Sequence, residues 1–144
     1  MSKAEEISLL QRKFLMYHRI SHQKILEKLG LYYGQPIMLM HLSETGEATQ
    51  KQLAEFLNCS SAAVAVSIKR LEKKGLLKKR VDRDDMRYNK ITLTDEGSRR
   101  AAAAREGMKD IDRRCFDGFS EEELSALEDF YGRMIKNLES EEKE

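Results

Sequence analysis

The segment that decides the fold is residues 49–97, TQKQLAEFLNCSSAAVAVSIKRLEKKGLLKKRVDRDDMRYNKITLTDEG. It opens with Thr49 and Gln52 in the T-x-x-Q spacing of a capping box, in which each side chain satisfies a backbone N–H of the other residue. This spacing predicts a helix over residues 50–57. The polar stretch 58–60 that follows predicts a short break rather than a continuation of the helix.

A second helix is expected directly after this break. Ser61 is a favourable N-cap, and Gly75 is a favourable stop after Lys74 because glycine adopts positive φ at little cost. Apolar residues recur at helical spacing between these two ends, which predicts one buried face. The inward residues are Val64, Ile68 and Leu71.

The period of the sequence changes after Gly75. Residues 77–81 and 88–93 are β-compatible, and the polar stretch 82–87 between them is typical of a loop, so we expect a β-hairpin. Thr94 can then cap another helix, with two acidic residues in its first turn. A helix, a tight break, a second helix and a basic hairpin together predict a winged helix-turn-helix. The fold class is mainly α with a small β-hairpin wing (α+β).

Long helices are expected on both sides of this lobe. Upstream, residues 4–29 predict one helix, residues 31–35 a loop, and residues 36–43 a shorter helix with Pro36 in its first turn. Downstream, helices are expected to end near residues 116 and 140. The apolar stripes of the long helices are Ile7, Leu10, Phe14 and Tyr17; Ala101, Ala104, Met108, Ile111 and Cys115; and Leu124, Leu127, Tyr131, Met134 and Leu138.

Stripes of this kind at both ends of a small chain favour association through the flanking helices, although both could instead pack on their own domain. We expect a homodimer, because the central lobe is too small to cover three long helices. The expected organisation within one overall domain is an N-terminal dimerisation helix and loop (1–33), a winged helix-turn-helix DNA-binding lobe (34–97), and C-terminal dimerisation helices with an acidic tail (98–144).

Charge is distributed unevenly along the 144 residues, although the net charge is only +1. Residues 51–93 contain eleven Lys and Arg against five Asp and Glu, whereas residues 117–144 contain three against ten. A basic middle segment indicates a polyanionic partner. Motifs for nucleotide, dinucleotide, nucleophilic-serine or zinc-protease chemistry are missing from the sequence, so we expect no enzyme activity and no cofactor.

The same sequence indicates a cytoplasmic protein. No apolar run approaches the ~20 residues of a membrane span, and the N-terminus lacks the apolar core of a signal peptide. Only two cysteines are present, Cys59 and Cys115, so a disulfide framework is not expected.

Double-stranded DNA is the partner that this arrangement predicts. A helix fits the major groove and presents its outward side chains to base edges, while a basic hairpin can neutralise phosphates of an adjacent groove. The second helix has small apolar residues near its start and cations toward its end. The predicted DNA-binding residues are Thr49, Gln50, Ser60, Ser61, Ala62, Ala65, Val66, Lys69, Arg70, Lys73, Arg83 and Arg87.

Residues 34–97 resemble the MarR family of bacterial winged-helix regulators. The resemblance is carried by T-Q-K-Q-L-A from Thr49, L-E-K-K-G-L from Leu71, D-x-x-D-x-R from Asp82, and L-T-D-E-G from Leu93. It implies a homodimer with paired recognition helices, wings in the minor groove and a pseudo-palindromic operator.

The resemblance also implies that Asp85 positions Arg87 in the minor groove. Met86 stands where the family usually has a basic residue, so Arg83 is expected to share that work. Val66 departs from the polar or basic residue of many members, so the operator sequence does not carry over.

The family resemblance further implies release from DNA by a small effector, bound between the DNA-binding lobe and the dimer helices. An aromatic or phenolic ligand would suit the candidate lining residues, which could equally be ordinary core and interface residues. Those candidates are Phe14, Tyr17, His18, Tyr32, Tyr33, Met38 and His41.

Three alternatives remain open for the function. His18 and His22, four residues apart on one helix, could form half of a metal site with His41 or Glu44 as a third ligand, although nothing in the spacing brings them together. Cys59 could respond to oxidants, because a helix N-terminus can depress a thiol pKa. A winged helix could also bind a protein instead of DNA.

Overall fold

The structure is a computed structural model, and it describes residues 1–32, 34–81, 84 and 89–141. The chain forms two compact units, Met1–Ile111 and Asp112–Glu144. The elements are α1 (Lys3–Leu29), α2 (Gln35–Thr45), β1 (Glu47–Thr49), α3 (Gln50–Leu57), α4 (Ser61–Lys73), β2 (Leu77–Val81), β3 (Asn89–Leu93), α5 (Asp95–Cys115) and α6 (Glu121–Glu139).

The core of the first unit forms where α2, α3, α4 and the sheet meet. Each element contributes side chains that are at most a few per cent exposed. In α4, these are the residues whose helical spacing predicts an inward face. These side chains include Met38, Leu39, Leu42, Leu53, Val64, Ile68, Leu71, Leu76 and Ile91. The winged helix-turn-helix and the three inward residues of α4 are therefore confirmed.

A small antiparallel sheet forms the wing base, with strand order β1-β3-β2. Leu77 pairs with Leu93 and Val81 with Asn89 across the predicted hairpin, while Ala48 of β1 pairs with Ile91. The sequence does not predict β1. Three residues are too few to show an alternating pattern, and β1 forms by pairing with a strand about forty residues later and by placing Ala48 in the core.

Most helix ends agree with the predicted caps, and two differ. Thr49 and Gln52 form the capping box of α3, as expected. The N-cap of α4 is Ser60 and not Ser61, because the Ser60 hydroxyl accepts the Ala63 N–H at 3.1 Å. Gln35 begins α2 instead of ending the loop, because its side-chain oxygen accepts the Tyr32 N–H at 3.1 Å and the side chain is 2% exposed.

The junction between β3 and α5 explains the L-T-D-E-G segment. The Thr94 hydroxyl donates to the Gly75 carbonyl at 2.6 Å and accepts the Gly97 N–H at 3.0 Å. The Thr94 N–H donates to the Leu76 carbonyl, at 3.1 Å. These bonds fix the end of the wing and the start of α5 on the turn that follows α4.

The long helix α1 has no buried residue. Its C-terminal part packs Leu26 and Leu29 against the core, and its end is held by side chains of later elements: Lys74 donates to the Gly30 carbonyl and Arg100 to the Leu29 carbonyl. The predicted stripe of Ile7, Leu10, Phe14 and Tyr17 is exposed throughout.

The second unit contains α6, whose N-terminus is closed by a capping box of Ser120 and Glu123. Leu124 and Leu127 are half-buried, while the rest of the predicted stripe, Tyr131, Met134 and Leu138, is exposed. Within the described parts of both units, no helix is long and apolar enough to cross a membrane.

Candidate nucleic-acid interface

The exposed face of α4 is the centre of the candidate interface. Its burial alternates as the sequence predicts, with the core side covered and the other side free. The exposed residues pass from small and apolar at the start to cationic at the end, and Ala65 is half-buried at one edge. The exposed residues are Ser61, Ala62, Ala63, Val66, Lys69, Arg70 and Lys73, together with the acidic Glu72.

A pair of side-chain hydrogen bonds sets the position of α4 against α3. The Gln50 amide nitrogen donates to the Ser61 carbonyl at 3.2 Å and to the Ser61 hydroxyl at 3.1 Å. Thr49 and Ser60 accept backbone N–H groups as N-caps of α3 and α4. Four of the predicted DNA-binding residues therefore also have structural roles at the two helix N-termini.

A pocket of about 250 Å³ lies where these N-termini meet the wing strands. It is lined by Thr49, Gln50, Lys51, Ser61, Lys79, Asn89 and Ile91. Lys79 and Asn89 reach it because they share a sheet face with Ile91, since Lys79 is the cross-strand partner of Ile91 and Asn89 lies two residues from it. The pocket joins the helix-turn-helix to the wing through one concave surface.

Two lysines in this pocket, Lys51 and Lys79, were not among the predicted DNA-binding residues. Neither has an ion-pair partner within the described ranges. Another wing cation, Arg80, is different, because it pairs with Glu47 across the sheet. Because side chains alternate between the two faces of a strand, the sequence of β2 could have placed Lys79 and Arg80 on opposite faces. The approach of Lys79 to Lys51 depends on tertiary structure and could not be predicted in this way.

Arg70 lies on a flank of the exposed face and contacts an aromatic ring. Its guanidinium carbon is 5.6 Å from the ring centroid of Tyr32, a residue that the sequence analysis placed in the effector pocket. The wing-tip predictions Arg83, Asp85 and Arg87, and the effector candidate Tyr33, lie outside the described residues.

The other effector candidates lie in different surroundings. Met38 is a core residue, 1% exposed, and His41 stacks on Phe56 with 3.7 Å between ring centroids. Phe14 and His18 are neighbours on α1, with ring centroids 5.5 Å apart. Tyr17 is exposed on the same helix.

The structure does not assemble the alternative metal site. His18 and His22 are close, with ring centroids 4.3 Å apart, but His41 is stacked on Phe56 and Glu44 pairs with Arg105 at 3.0 Å. Across the part of the chain that the structure describes, no three His, Cys, Asp or Glu side chains are grouped as a metal site. Both residues named as a possible third ligand have other partners.

The two cysteines are separate and free. Cys59 is exposed in the turn between α3 and α4, and its N–H donates to the Ala54 carbonyl at 3.1 Å. Cys115, expected in an apolar stripe, is half-buried at the end of α5. Oxidant sensing by Cys59 stays a prediction.

Comparisons with known proteins agree with this architecture. Residues 31–88 match the model of the MarR family. An uncharacterized HTH-type transcriptional regulator of Bacillus subtilis (strain 168), YdgJ, is 30% identical over 76% of this chain and 66% of its own length. The HTH-type transcriptional repressor MdtR of the same strain is 28% identical over 83% of this chain and 77% of its own length.

Solved structures have the same fold. A crystal structure of an S. aureus MepR–DNA complex matches with a TM-score of 0.75 and 23% identity, covering 90% of this chain and 96% of that chain. The matched family segment contains the helix-turn-helix and most of the wing, and the structural likeness extends over nearly all of the chain. The chain belongs to the MarR family.

Proposed function

We propose that this chain is a homodimeric, sequence-specific DNA-binding transcriptional regulator, and specifically a repressor. One observation carries the proposal: α4 turns an exposed face with Lys69 and Lys73 to solvent, beside a pocket that contains Lys51 and Lys79, neither of which has an ion-pair partner among the described residues. Cations that have no protein partner and lie on one surface are what a phosphate backbone requires. The curated relatives named above, described as transcriptional regulators, support the same function.

The proposed docking places residues 61–74 in the major groove. Ala62 and Val66 are small enough to bring the helix close to the base edges and can contact thymine methyl groups. Lys69 and Lys73 follow toward the C-terminal end of α4, where cations also interact favourably with the helix dipole. Base edges would therefore be read mainly near the start of the helix, with charge attraction near its end.

The wing is proposed to occupy the minor groove through residues 82–87. Arg87 would enter the groove with Asp85 holding its side chain, and Arg83 would assist. A narrow minor groove has the most negative potential and favours an inserted arginine. This part of the proposal is supported by the family membership and by the placement of β2 and β3, whose described residues join the wing to the pocket.

A homodimer is proposed because each unit has an exposed apolar helix face. Phe14 of α1 and Phe130 of α6 are 39% and 52% exposed. Charge is complementary as well: α1 has six Lys and Arg against three Glu, and α6 has six Asp and Glu against two Lys and Arg. A second copy would cover both faces, and we propose that residues 1–33 and 98–144 form this interface around the DNA-binding lobe 34–97.

Release by a small aromatic ligand is part of the proposal, and so is a cytoplasmic location. The ligand would prefer a dimer in which the recognition helices are misplaced for successive major-groove faces. Phe14, Tyr17 and His18 are the candidates that lie together on α1. A coupling free energy of about 1–3 kcal/mol would lower operator affinity roughly 5–150-fold.

The DNA-binding proposal is tested by measuring the binding of a random-sequence duplex over a salt series, followed by selection of preferred sequences. We expect Lys69→Gln and Lys73→Gln to weaken binding and to reduce the salt slope by about one for each lost phosphate contact. Lys109→Gln, on α5, removes the same charge and serves as the control. Equal salt slopes for the three variants, or a lack of duplex binding at low salt, would contradict the proposal.

A further inference from the structure

The loop between α1 and α2 places one aromatic ring beneath two cations at the end of α4. The Lys74 ammonium nitrogen is 5.0 Å from the centroid of the Tyr32 ring, and the Arg70 guanidinium carbon is 5.6 Å from it. The same Lys74 ammonium donates a hydrogen bond to the Gly30 carbonyl. Cations at such distances from a ring face are attracted by its quadrupole.

The backbone at Leu31 and Tyr32 is well anchored. Leu31 is 5% exposed and its N–H donates to the Leu26 carbonyl at 2.9 Å. The Tyr32 N–H donates to the buried Gln35 side chain at 3.1 Å. Tyr32 is 62% exposed, so its anchored backbone presents an exposed aromatic side chain rather than a packed core residue.

The two cations lie on one flank of α4. They are four residues apart and therefore stand above one another on the helix surface. Arg70 lies about 100° around the helix axis from Lys69, the residue before it, and Lys74 lies about 100° from Lys73. Base edges form the floor of a groove and phosphates form its rims, so a flank of the recognition helix is the place for phosphate contacts.

We propose that Tyr32 is a positioning residue, which orients Arg70 and Lys74 toward phosphates at the rim of the major groove. This inference rests on the proposed DNA-binding function and deepens it. Long cationic side chains lose rotamer freedom when they bind, and holding them over a ring before DNA arrives lowers that cost. The contact with the ring does not neutralise the two cations, so the exposed side of each cation can still bind an anion.

The test compares Tyr32→Phe with Tyr32→Leu and Tyr32→Gln, using anisotropy of a labelled random duplex of about 30 base pairs, long enough for two half-sites. Each variant is measured over a salt series, in the wild-type background and in an Arg70→Gln/Lys74→Gln background. Using two non-aromatic variants separates a folding defect in one of them from loss of the ring.

Tyr32→Phe retains the ring face and should bind within about twofold of wild type. Tyr32→Leu and Tyr32→Gln should weaken binding roughly fivefold to thirtyfold, because two cations in each of two protomers lose their orientation, and the salt slope should fall. In the Arg70→Gln/Lys74→Gln background, the same Tyr32 variants should have no further effect, since residues that act through one another are not additive.

Three results would overturn the inference while wild-type binding persists. They are full affinity in the non-aromatic variants, an equal loss in Tyr32→Phe, and a loss of the same size in the Arg70→Gln/Lys74→Gln background, which would mean that Tyr32 contacts DNA itself. A wild-type chain that binds no duplex overturns the DNA-binding proposal first, and this inference with it.

Discussion

At the scale of single residues, the start of α5 combines tight packing with a local charge cluster. Gly97 lies under the turn after α4, and Glu96 beside it faces two arginines. Both belong to the segment that carries the family resemblance, and both have structural roles in the described chain. Packing and charge pairing at this segment therefore give these two residues a structural role.

Gly97→Ala should destabilise the fold. An added Cβ would lie 2.0 Å from the Leu76 carbonyl oxygen, a backbone atom that is fixed by the Thr94 N–H. We expect a loss of about 1–3 kcal/mol in the free energy of unfolding, as for other overpacked sites. Urea unfolding measures it, with Gly132→Ala in α6 as the control, because a Cβ there meets nothing within 4 Å. Equal stability of both variants would contradict this packing argument.

Glu96 should make stability depend on pH. Hydrogen bonds from Arg99, then from Arg100, lower the pKa of the Glu96 carboxyl below its ordinary value of 4.5. A carboxyl with a lowered folded-state pKa contributes stability above its ordinary pKa and loses that contribution as pH falls. The stability difference between wild type and Glu96→Gln should therefore be largest near neutral pH and shrink below pH 4.5. Chemical unfolding from pH 7 to 3 tests this, and a pH-independent difference would contradict it.

At the scale of elements, the sequence predicts what local chemistry determines. The bounds of α3 and the inward face of α4 follow from a capping box and from helical spacing, and both are confirmed. The strand β1 and the choice of Ser60 over Ser61 could not be predicted, since the first depends on distant pairing and the second on the local backbone path. Adjacent serines have the same capping chemistry.

The candidate site shows the same limit. The exposed face of α4 follows from periodicity, whereas the approach of Lys51 to Lys79 depends on the contact between α3 and the sheet. The aromatic contact of Arg70 with Tyr32 likewise joins two residues that no spacing relates. Contacts between side chains that are distant in the sequence can be identified only from the folded structure.

The junction of α3 with the wing should contribute to DNA affinity independently of sequence. Lys51→Gln and Lys79→Gln should each weaken binding of specific and random duplexes by similar factors, and each should reduce the salt slope by about one. Lys78→Gln is the matched control, because Lys78 is the neighbouring residue on the opposite face of β2. Salt titrations with both duplexes measure the effect. A loss confined to the specific duplex would indicate base readout and contradict a phosphate role.

At the scale of the whole molecule, the proposed function depends on two copies. Recognition helices must be held about one helical turn of DNA apart, roughly 34–36 Å, to occupy two half-sites. Within the described residues, no residue of α1 is fully buried and all of residues 1–17 are exposed. A long helix with an exposed apolar stripe, which packs only its C-terminal end on its own core, is typical of an association surface, and the charge complementarity of α1 and α6 favours a second copy of this chain.

Phe14→Glu should disrupt that association. Phe14 stands in the middle of the α1 stripe, and burying a carboxylate without a partner at an interface costs several kcal/mol. Ser8→Glu adds the same charge on the other side of the helix and should leave the dimer intact. Light scattering at micromolar concentration should give the mass of two chains for wild type and Ser8→Glu, and of one chain for Phe14→Glu.

The monomeric variant should keep its helical circular dichroism and its weak binding to random duplex. It should lose its preference for a selected palindromic site, because one recognition helix reads only one half-site. A dimeric Phe14→Glu protein would remove the α1 stripe from the interface, and a monomeric wild type would contradict the dimer itself.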